Sequence, residues 1–255
     1  MKELLAFAIE MAENAGKIIL QYYQKEIQVD SKPDNSPVTI ADRSAEEFLR
    51  AEIGKRFPDD AILGEEFGVK DGHSGFRWIL DPIDGTKSFV RGVPLFGCMI
   101  ALERDGKSLL GVVRFPVLGD TIAALSGEGC FLNGNRCRAS QTREVSKASI
   151  MMQPPNAIMR YQGEKALLRL LRDTGVQYTY ADCYGFLLVA AGRADAIYEP
   201  KMNIWDTAPL FPIIEEAGGR ISSLDGDRAL TMKNSLASNG ILHEALCEIL
   251  RNNAE

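Results

Sequence analysis

The sequence predicts an α/β protein whose N-terminal half is of the α+β kind. Three features lead there. A long amphipathic stripe opens the chain, apolar segments joined by turn-forming residues follow it, and strand-like and helix-like segments alternate through the C-terminal half. In order, Leu4, Leu5, Ala8, Met11, Ala12, Ala15, Ile18, Ile19 and Tyr22 share one face of a long helix. Ser31 to Pro37 (SKPDNSP) consists of turn formers and reads as a loop. A second helix is expected from about Ile40, with apolar positions at Ala41, Ala45, Phe48, Leu49 and Ile53, and Pro58 ends it. A strand over Ala61 to Leu63 runs into Gly64-Glu65-Glu66, and another over Phe76 to Leu80 runs into Asp81. Phe96 to Glu103 and Leu109 to Phe115 read as antiparallel strands joined at Asp105-Gly106, and Asn133-Gly134 carries the signal of a type I′ hairpin.

Beyond residue 140 the expected elements are a strand at Ser149 to Gln153, a helix at Glu164 to Asp173 and a strand at Val176 to Tyr180. A helix at Tyr184 to Ala191 and a strand at Ala194 to Tyr198 follow. A last helix begins near Asp206 and stops at Gly218-Gly219; Pro209 suits its first turn, whereas Pro212 lies deeper than a helix normally tolerates. The change of pattern divides the chain into an α+β part, 1–140, with most of the acidic motifs, and an α/β part, 141–255, containing Asp206.

Composition removes several classes of function. The 255 residues suffice for a large core. A net charge of −6 does not provide the basic face of a nucleic-acid binder, yet is compatible with a phosphate substrate if divalent cations reverse the local sign. No apolar run is long enough to span a bilayer, and acids interrupt the N-terminal MKELLAFAIEMAENAG, so a cytoplasmic protein without a signal peptide is expected. The cysteines at 98, 130, 137, 183 and 247 are odd in number and widely spaced, which fits reduced thiols. Only His73 and His243 are available, too few for the usual zinc site or histidine-based triad.

The chemistry therefore falls to carboxylates at strand ends. Glu65 and Glu66 follow one strand, Asp81-Pro82-Ile83-Asp84-Gly85-Thr86 another, and Asp206 stands at an expected helix start. Pro82 and Gly85 should form a turn that points Asp81 and Asp84 at one place and leaves the Ile83 carbonyl available. Two carboxylates about 4 Å apart repel by roughly 4 kcal/mol at an effective dielectric near 20, so they must be protonated, paired or bound to cations. Oxygen ligands alone fit Mg2+, Mn2+ or Ca2+. Taken singly, DPIDGT could be a solvated turn, Glu65 an exposed acid and Asp206 a helix N-cap. Pro82 occupies the slot where an aspartyl-phosphate phosphatase would carry its nucleophile, and EF-hand spacing is not met.

GEE at 64–66, WILDPIDGTKSFVRGVP at 78–94 and WDTAPL at 205–210 resemble the inositol monophosphatase family. VTIAD at 38–42, FLNG at 131–134 and EEAGGRIS at 215–222 extend the resemblance over nearly the whole chain. It implies a layered αβαβα sandwich of the inositol monophosphatase and fructose-1,6-bisphosphatase type, usually a homodimer. It implies two or three Mg2+ per site, with Mn2+ a possible substitute, held by Glu65, Asp81, Asp84, Asp206 and the Ile83 carbonyl. It further implies that Thr86, with Glu65 and Asp42, orients or deprotonates the attacking water, and that the Gly85 and Thr86 N–H groups contact phosphate. Local sequence alone makes Asp42 an ordinary first-turn residue.

Within the family, KSFVRGVP with Arg91 and ADCYGFLLVAAGRAD at 181–195 are most similar to the histidinol-phosphatase branch, where inositol monophosphatases more often read TNFVHGFP. By family position Asp182, Tyr184 and Glu199 line the leaving-group pocket. Asp182 and Glu199 could hold the cationic groups of histidinol, although a carboxylate accepts from inositol hydroxyls too. Arg91 could equally serve a salt bridge, Tyr184 core packing, and Lys87 simple exposure. The expected activity is hydrolysis of a small phosphate monoester by water activated at the metals, without a covalent intermediate. L-histidinol phosphate is the expected substrate; inositol monophosphate or a broad range of sugar phosphates is the alternative.

Overall fold

The three long central strands are apolar at nearly every position because both of their faces are covered. Along Phe76–Asp84, Ile79 faces one core while Trp78 and Leu80 face another. Met99 and Ala101 oppose Cys98, Ile100 and Leu102 along Gly97–Arg104, and Val113 and Phe115 oppose Leu110 and Val112 along Lys107–Phe115. The same alternation splits Met151 from Ile150 and Met152, and Ile197 from Ala196 and Tyr198, in a second sheet. Two sheets buried on both faces require three helical layers.

A computed structural model describes residues 1–31 and 37–251, and its described residues form that sandwich. The interior of SKPDNSP lies outside them. The first layer is the helix pair Lys2–Leu20 and Ile40–Arg56. It covers an eight-stranded sheet in the order Asn135–Arg136, Gly129–Leu132, Asp120–Leu125, Lys107–Phe115, Gly97–Arg104, Phe76–Asp84, Ala61–Gly64 and Gly68–Lys70. The helices Asp182–Ala190 and Ile204–Glu216 lie between this sheet and a five-stranded one, ordered Val176–Tyr178, Ser149–Met152, Ala196–Glu199, Ser235–Ser238 and Arg220–Ser222. Pro155–Gln162, Glu164–Asp173 and His243–Leu250 close the far side. The middle core joins residues from both parts of the chain, including Ile79, Met99, Phe186 and Ile213. No helix among the described residues is long and apolar enough to cross a membrane.

The helix expected near Asp206 starts two residues earlier, which puts Pro209 beyond the first turn, and it continues through Pro212. Burial explains its survival: Thr207 to Ile214 are all buried between the sheets, and packing outweighs the lost intrahelical bonds. At Gly111 the sheet admits the helix so closely that a Cβ would lie 1.9 Å from the Pro209 carbonyl oxygen. The hairpin at Asn133-Gly134 forms as expected, with both residues at positive φ. All five cysteines are free and buried.

Candidate active site

In a regular strand, residues three apart face opposite sides. Asp81 pairs with Met99 and Asp84 with Gly97, so three steps on one strand match two on its neighbour. The extra residue is a β-bulge, and it reverses the parity so that Asp81 and Asp84 share a side. This corrects the expected turn after the strand: DPID is the bulged end of the strand itself, with Pro82 where a ladder donor is not required. Gly85 then takes φ 83° and releases the chain into the helix Thr86–Val90. The Ile83 side chain is buried in the first core, and its carbonyl accepts the Thr86 hydroxyl at 2.9 Å. That carbonyl is engaged, with one lone pair remaining.

Glu65 follows Ala61–Gly64, which runs parallel to Phe76–Asp84, and its N–H donates to Leu80 O at 3.1 Å. The turn beyond it is tied to Glu46, a fully buried residue that sequence reading did not single out. Glu46 Oε2 accepts the Glu66 N–H at 2.8 Å, and Oε1 accepts the Phe67 N–H at 3.2 Å and Arg50 Nε at 2.7 Å.

Asp206 is not the N-cap. Asn203 caps the helix, and Asp206 closes the capping box three residues on, its Oδ2 accepting the Asn203 N–H at 2.7 Å. Asp42 stands in the same relation to Thr39, accepting its N–H at 2.8 Å and its hydroxyl at 2.7 Å through Oδ2. Asp42 Oδ1 lies 3.5 Å from the Thr86 hydroxyl. Each aspartate thus commits one oxygen to a helix end.

Carboxylate oxygens of Asp81, Asp84 and Asp206 lie within 4.8 Å of one another. Glu65 is outside this tightest cluster but lines the same cavity, of about 190 Å³, together with Asp84, Asp182, Glu199 and Asp206. Burial, then repulsion from Asp182 and Asp206, pushes the Asp84 carboxyl well above its ordinary range. Burial, with Glu65 adding repulsion against the Asn203 hydrogen bond, takes Asp206 up to about 7. Burial also raises Asp42 and Asp182, the latter against the attraction of Lys87, and raises Glu199 well above normal with Asp182 contributing. Cys183, at the cavity wall, is held as a neutral thiol by burial and by Asp84. Crowded carboxylate oxygens with no imidazole or thiolate among them suit a hard divalent cation.

Of the expected site residues, Glu65, Asp84, Asp182, Glu199 and Asp206 line this cavity, while Asp42, Asp81, Ile83, Gly85, Thr86, Tyr184 and Arg91 are not among its lining residues. Tyr184 packs edge-on against Phe115, at 5.8 Å, and Tyr180. Arg91 is exposed and donates to the Lys87 carbonyl at 3.2 Å. Lys87, expected to be exposed, is exposed and also lines the cavity. Gln153 is a cavity residue that the sequence left unmarked; its Nε2 donates to Asp182 Oδ1 at 2.9 Å. Its one signal was its place at the end of a strand.

The fold and the acidic cavity at its seam define a phosphoric monoester hydrolase. The chain belongs to the inositol monophosphatase family, whose model matches residues 1–255. It is 42% identical over 243 residues to the histidinol-phosphatase of Chlorobaculum parvum, covering 92% of this chain and 94% of that one. It is 32% identical over 253 residues to the fructose-1,6-bisphosphatase/inositol-1-monophosphatase of Thermotoga maritima, covering 96% and 95%. The solved structure of the extragenic suppressor protein suhB from Bartonella henselae superposes with a TM-score of 0.93 at 30% identity, covering 99% and 100%.

Proposed function

We propose that this chain is a magnesium-dependent histidinol-phosphatase that converts L-histidinol phosphate and water to L-histidinol and phosphate. One observation carries the choice of substrate: a second acidic group, Asp182, lines the cavity that contains Asp84 and Asp206. An ammonium or imidazolium on the leaving alcohol would form a charge-assisted hydrogen bond there, stronger than the one a neutral polyol hydroxyl would give. The name of the Chlorobaculum parvum relative supports the same choice. The reading includes a cytoplasmic homodimer, and buried reduced thiols fit a reducing compartment.

Glu65, Asp81, Asp84, Asp206 and the second lone pair of the Ile83 carbonyl would hold two or three Mg2+, with Mn2+ able to substitute. When bound, the cations acidify water and neutralise charge on the phosphate and leaving oxygens. The Thr86 hydroxyl donates a hydrogen bond to Ile83 O, which would leave its lone pairs for the attacking water. Glu65 and Asp42, with Thr86, would orient that water or accept its one proton, which is then returned to the leaving alkoxide oxygen to give the alcohol. The N–H groups of Gly85 and Thr86, at a helix start where no intrahelical carbonyl meets them, receive phosphate oxygens. Asp182 receives the leaving alcohol. Positioning and charge compensation supply the rate, and no covalent enzyme intermediate forms.

Phosphate release from a panel of esters, with Mg2+ and with EDTA, tests the proposal. L-histidinol phosphate should give the highest kcat/KM, and EDTA should abolish turnover. Preference for inositol monophosphate would overturn the substrate and favour the alternative that the name of the Thermotoga maritima relative supports. Release from no ester with any divalent cation would overturn the activity itself.

A further inference from the structure

Cys130 and Cys137 take no part in the chemistry above, and neither lines the acidic cavity. The hairpin at Asn133-Gly134 brings them together. Leu132 is in register with Asn135 and Phe131 with Arg136, so Cys130 and Cys137 are the next opposite pair. The Cys137 N–H donates to the Cys130 carbonyl at 2.8 Å. Opposite residues of a hydrogen-bonded antiparallel pair stand about 5.5 Å apart at Cα, inside the roughly 4.4–6.8 Å that a disulfide spans. Their side chains leave the same face of the hairpin, and the Cys130 thiol donates a hydrogen bond to the Cys137 sulfur.

The two sulfurs have different surroundings. Cys130 is 0% exposed, whereas Cys137 is 6% exposed and stands at the wall of a surface cleft of about 280 Å³ that Arg136, Arg138 and Arg193 also line. The hydrogen bond from Cys130 outweighs burial and, with the Leu132 N–H and the Arg193 guanidinium, lowers the Cys137 thiol from 9.0 to about 7. The same hydrogen bond, and then burial, pushes Cys130 far up. Burial is the first cause that raises Cys98, Cys183 and Cys247. A thiolate is the attacking species in sulfur chemistry, so Cys137 is the nucleophile and Cys130 the proton-bearing partner beside it.

We infer that Cys130 and Cys137 form a redox-active dithiol, in which hydrogen peroxide oxidises Cys137 and Cys130 then closes a disulfide across the hairpin. The Cys137 thiolate attacks one peroxide oxygen, the O–O bond breaks, and the departing hydroxide takes up a proton as water, leaving a sulfenic acid. The Cys130 sulfur attacks the Cys137 sulfur, the S–O bond breaks, and the departing hydroxyl takes the Cys130 proton as a second water. Two thiols together give two electrons to one peroxide. Peroxide is small enough to reach a residue only 6% exposed at a cleft wall. This site is independent of the proposed function, because it uses neither the metals nor the ester.

The test treats the reduced, folded chain with hydrogen peroxide, alkylates the remaining thiols in denaturant and maps a tryptic digest by mass spectrometry. Three cysteines should be alkylated in place of five. Trypsin cuts after Arg136 and Arg138, so the disulfide should appear as Cys137-Arg138 joined to the peptide that ends at Arg136, and dithiothreitol should part them. Cys130→Ser should stop at a sulfenic acid on Cys137 that dimedone captures, and Cys137→Ser should leave Cys130 reduced at the same dose. Survival of both thiols at every peroxide dose that leaves the chain folded would overturn the inference. So would oxidation of Cys98, Cys183 or Cys247 ahead of this pair, dimedone capture at Cys130 in Cys137→Ser, or a disulfide joining two separate chains. Should a serine variant not fold, the peptide map of the wild type decides alone.

Discussion

Replacing Glu46 by alanine tests how Glu65 is mounted. Glu46 is 0% exposed and accepts two backbone N–H groups and the Arg50 guanidinium, at 2.7 to 3.2 Å. It also fills the space beside Gly64, where a Cβ would fall 1.9 Å from its Oε1. Orphaning a buried donor costs about 1–3 kcal/mol, and breaking a buried ion pair about 3–5 kcal/mol. Arg50 moderates this: its side chain is 17% exposed and it keeps a hydrogen bond to the Gly68 carbonyl. We therefore expect Glu46→Ala to lose about 3 kcal/mol, measured by urea unfolding in EDTA so that metal linkage does not contribute. Because the freed N–H groups belong to Glu66 and Phe67, the turn beside Glu65 should loosen, and Mg2+ affinity measured without urea should fall about tenfold. A loss below about 1 kcal/mol with unchanged Mg2+ affinity would refute the claim that this carboxylate holds the turn.

Asp84→Asn should abolish most turnover while the fold survives; by removing a charge crowded by Asp182 and Asp206, it should also raise the Tm of the metal-free protein and shrink the gain on adding Mg2+. Near-wild-type turnover at saturating Mg2+ would take Asp84 out of the ligand set. Gly111→Ala drives a Cβ into the Pro209 carbonyl and should cost about 3 kcal/mol in urea unfolding, and a change under about 0.5 kcal/mol would show that the helix bearing Asp206 slides freely on the sheet. His243, 1% exposed with both ring nitrogens 2.9 Å from serine hydroxyls, is lowered by burial from 6.5 to about 4. The unfolded chain takes up this proton first, so stability from this residue is complete above pH 6.5 and declines as pH falls toward 4, by about 3 kcal/mol in all. Urea midpoints of wild type and His243→Gln between pH 7 and 4.5 check this, and parallel curves would contradict it.

Asp81 and Asp84 were singled out because Asp-Pro-x-Asp-Gly at the end of an apolar strand is an unusual setting for paired acids. Their convergence was legible only in outcome. Strand periodicity sends Asp81 and Asp84 to opposite faces, and the bulge that reunites them leaves no mark beyond Pro82. Glu46 and Gln153 escaped notice because their roles arise from proximity across layers, which local pattern does not carry. Arg91 and Tyr184 were named from family position, and their side chains meet the Lys87 carbonyl and the Phe115 ring, neighbours that sequence position alone does not report. Pro212 warned correctly of lost helix bonds but could not report the two sheets that outweigh them. The strands Asp120–Leu125, Arg220–Ser222 and Ser235–Ser238 and the helices Pro155–Gln162 and His243–Leu250 went unread.

The paired capping boxes suggest a coupling. Asp42 and Asp206 each pin the amide of Thr39 or Asn203 with one oxygen of a carboxylate that the proposed mechanism also uses, so a fraying helix end would release a side chain of the proposed site. Occupancy at the centre should then be audible at the periphery. Deuterium uptake at these two amides, far apart in the chain, would slow together when the cage fills and quicken together when it empties.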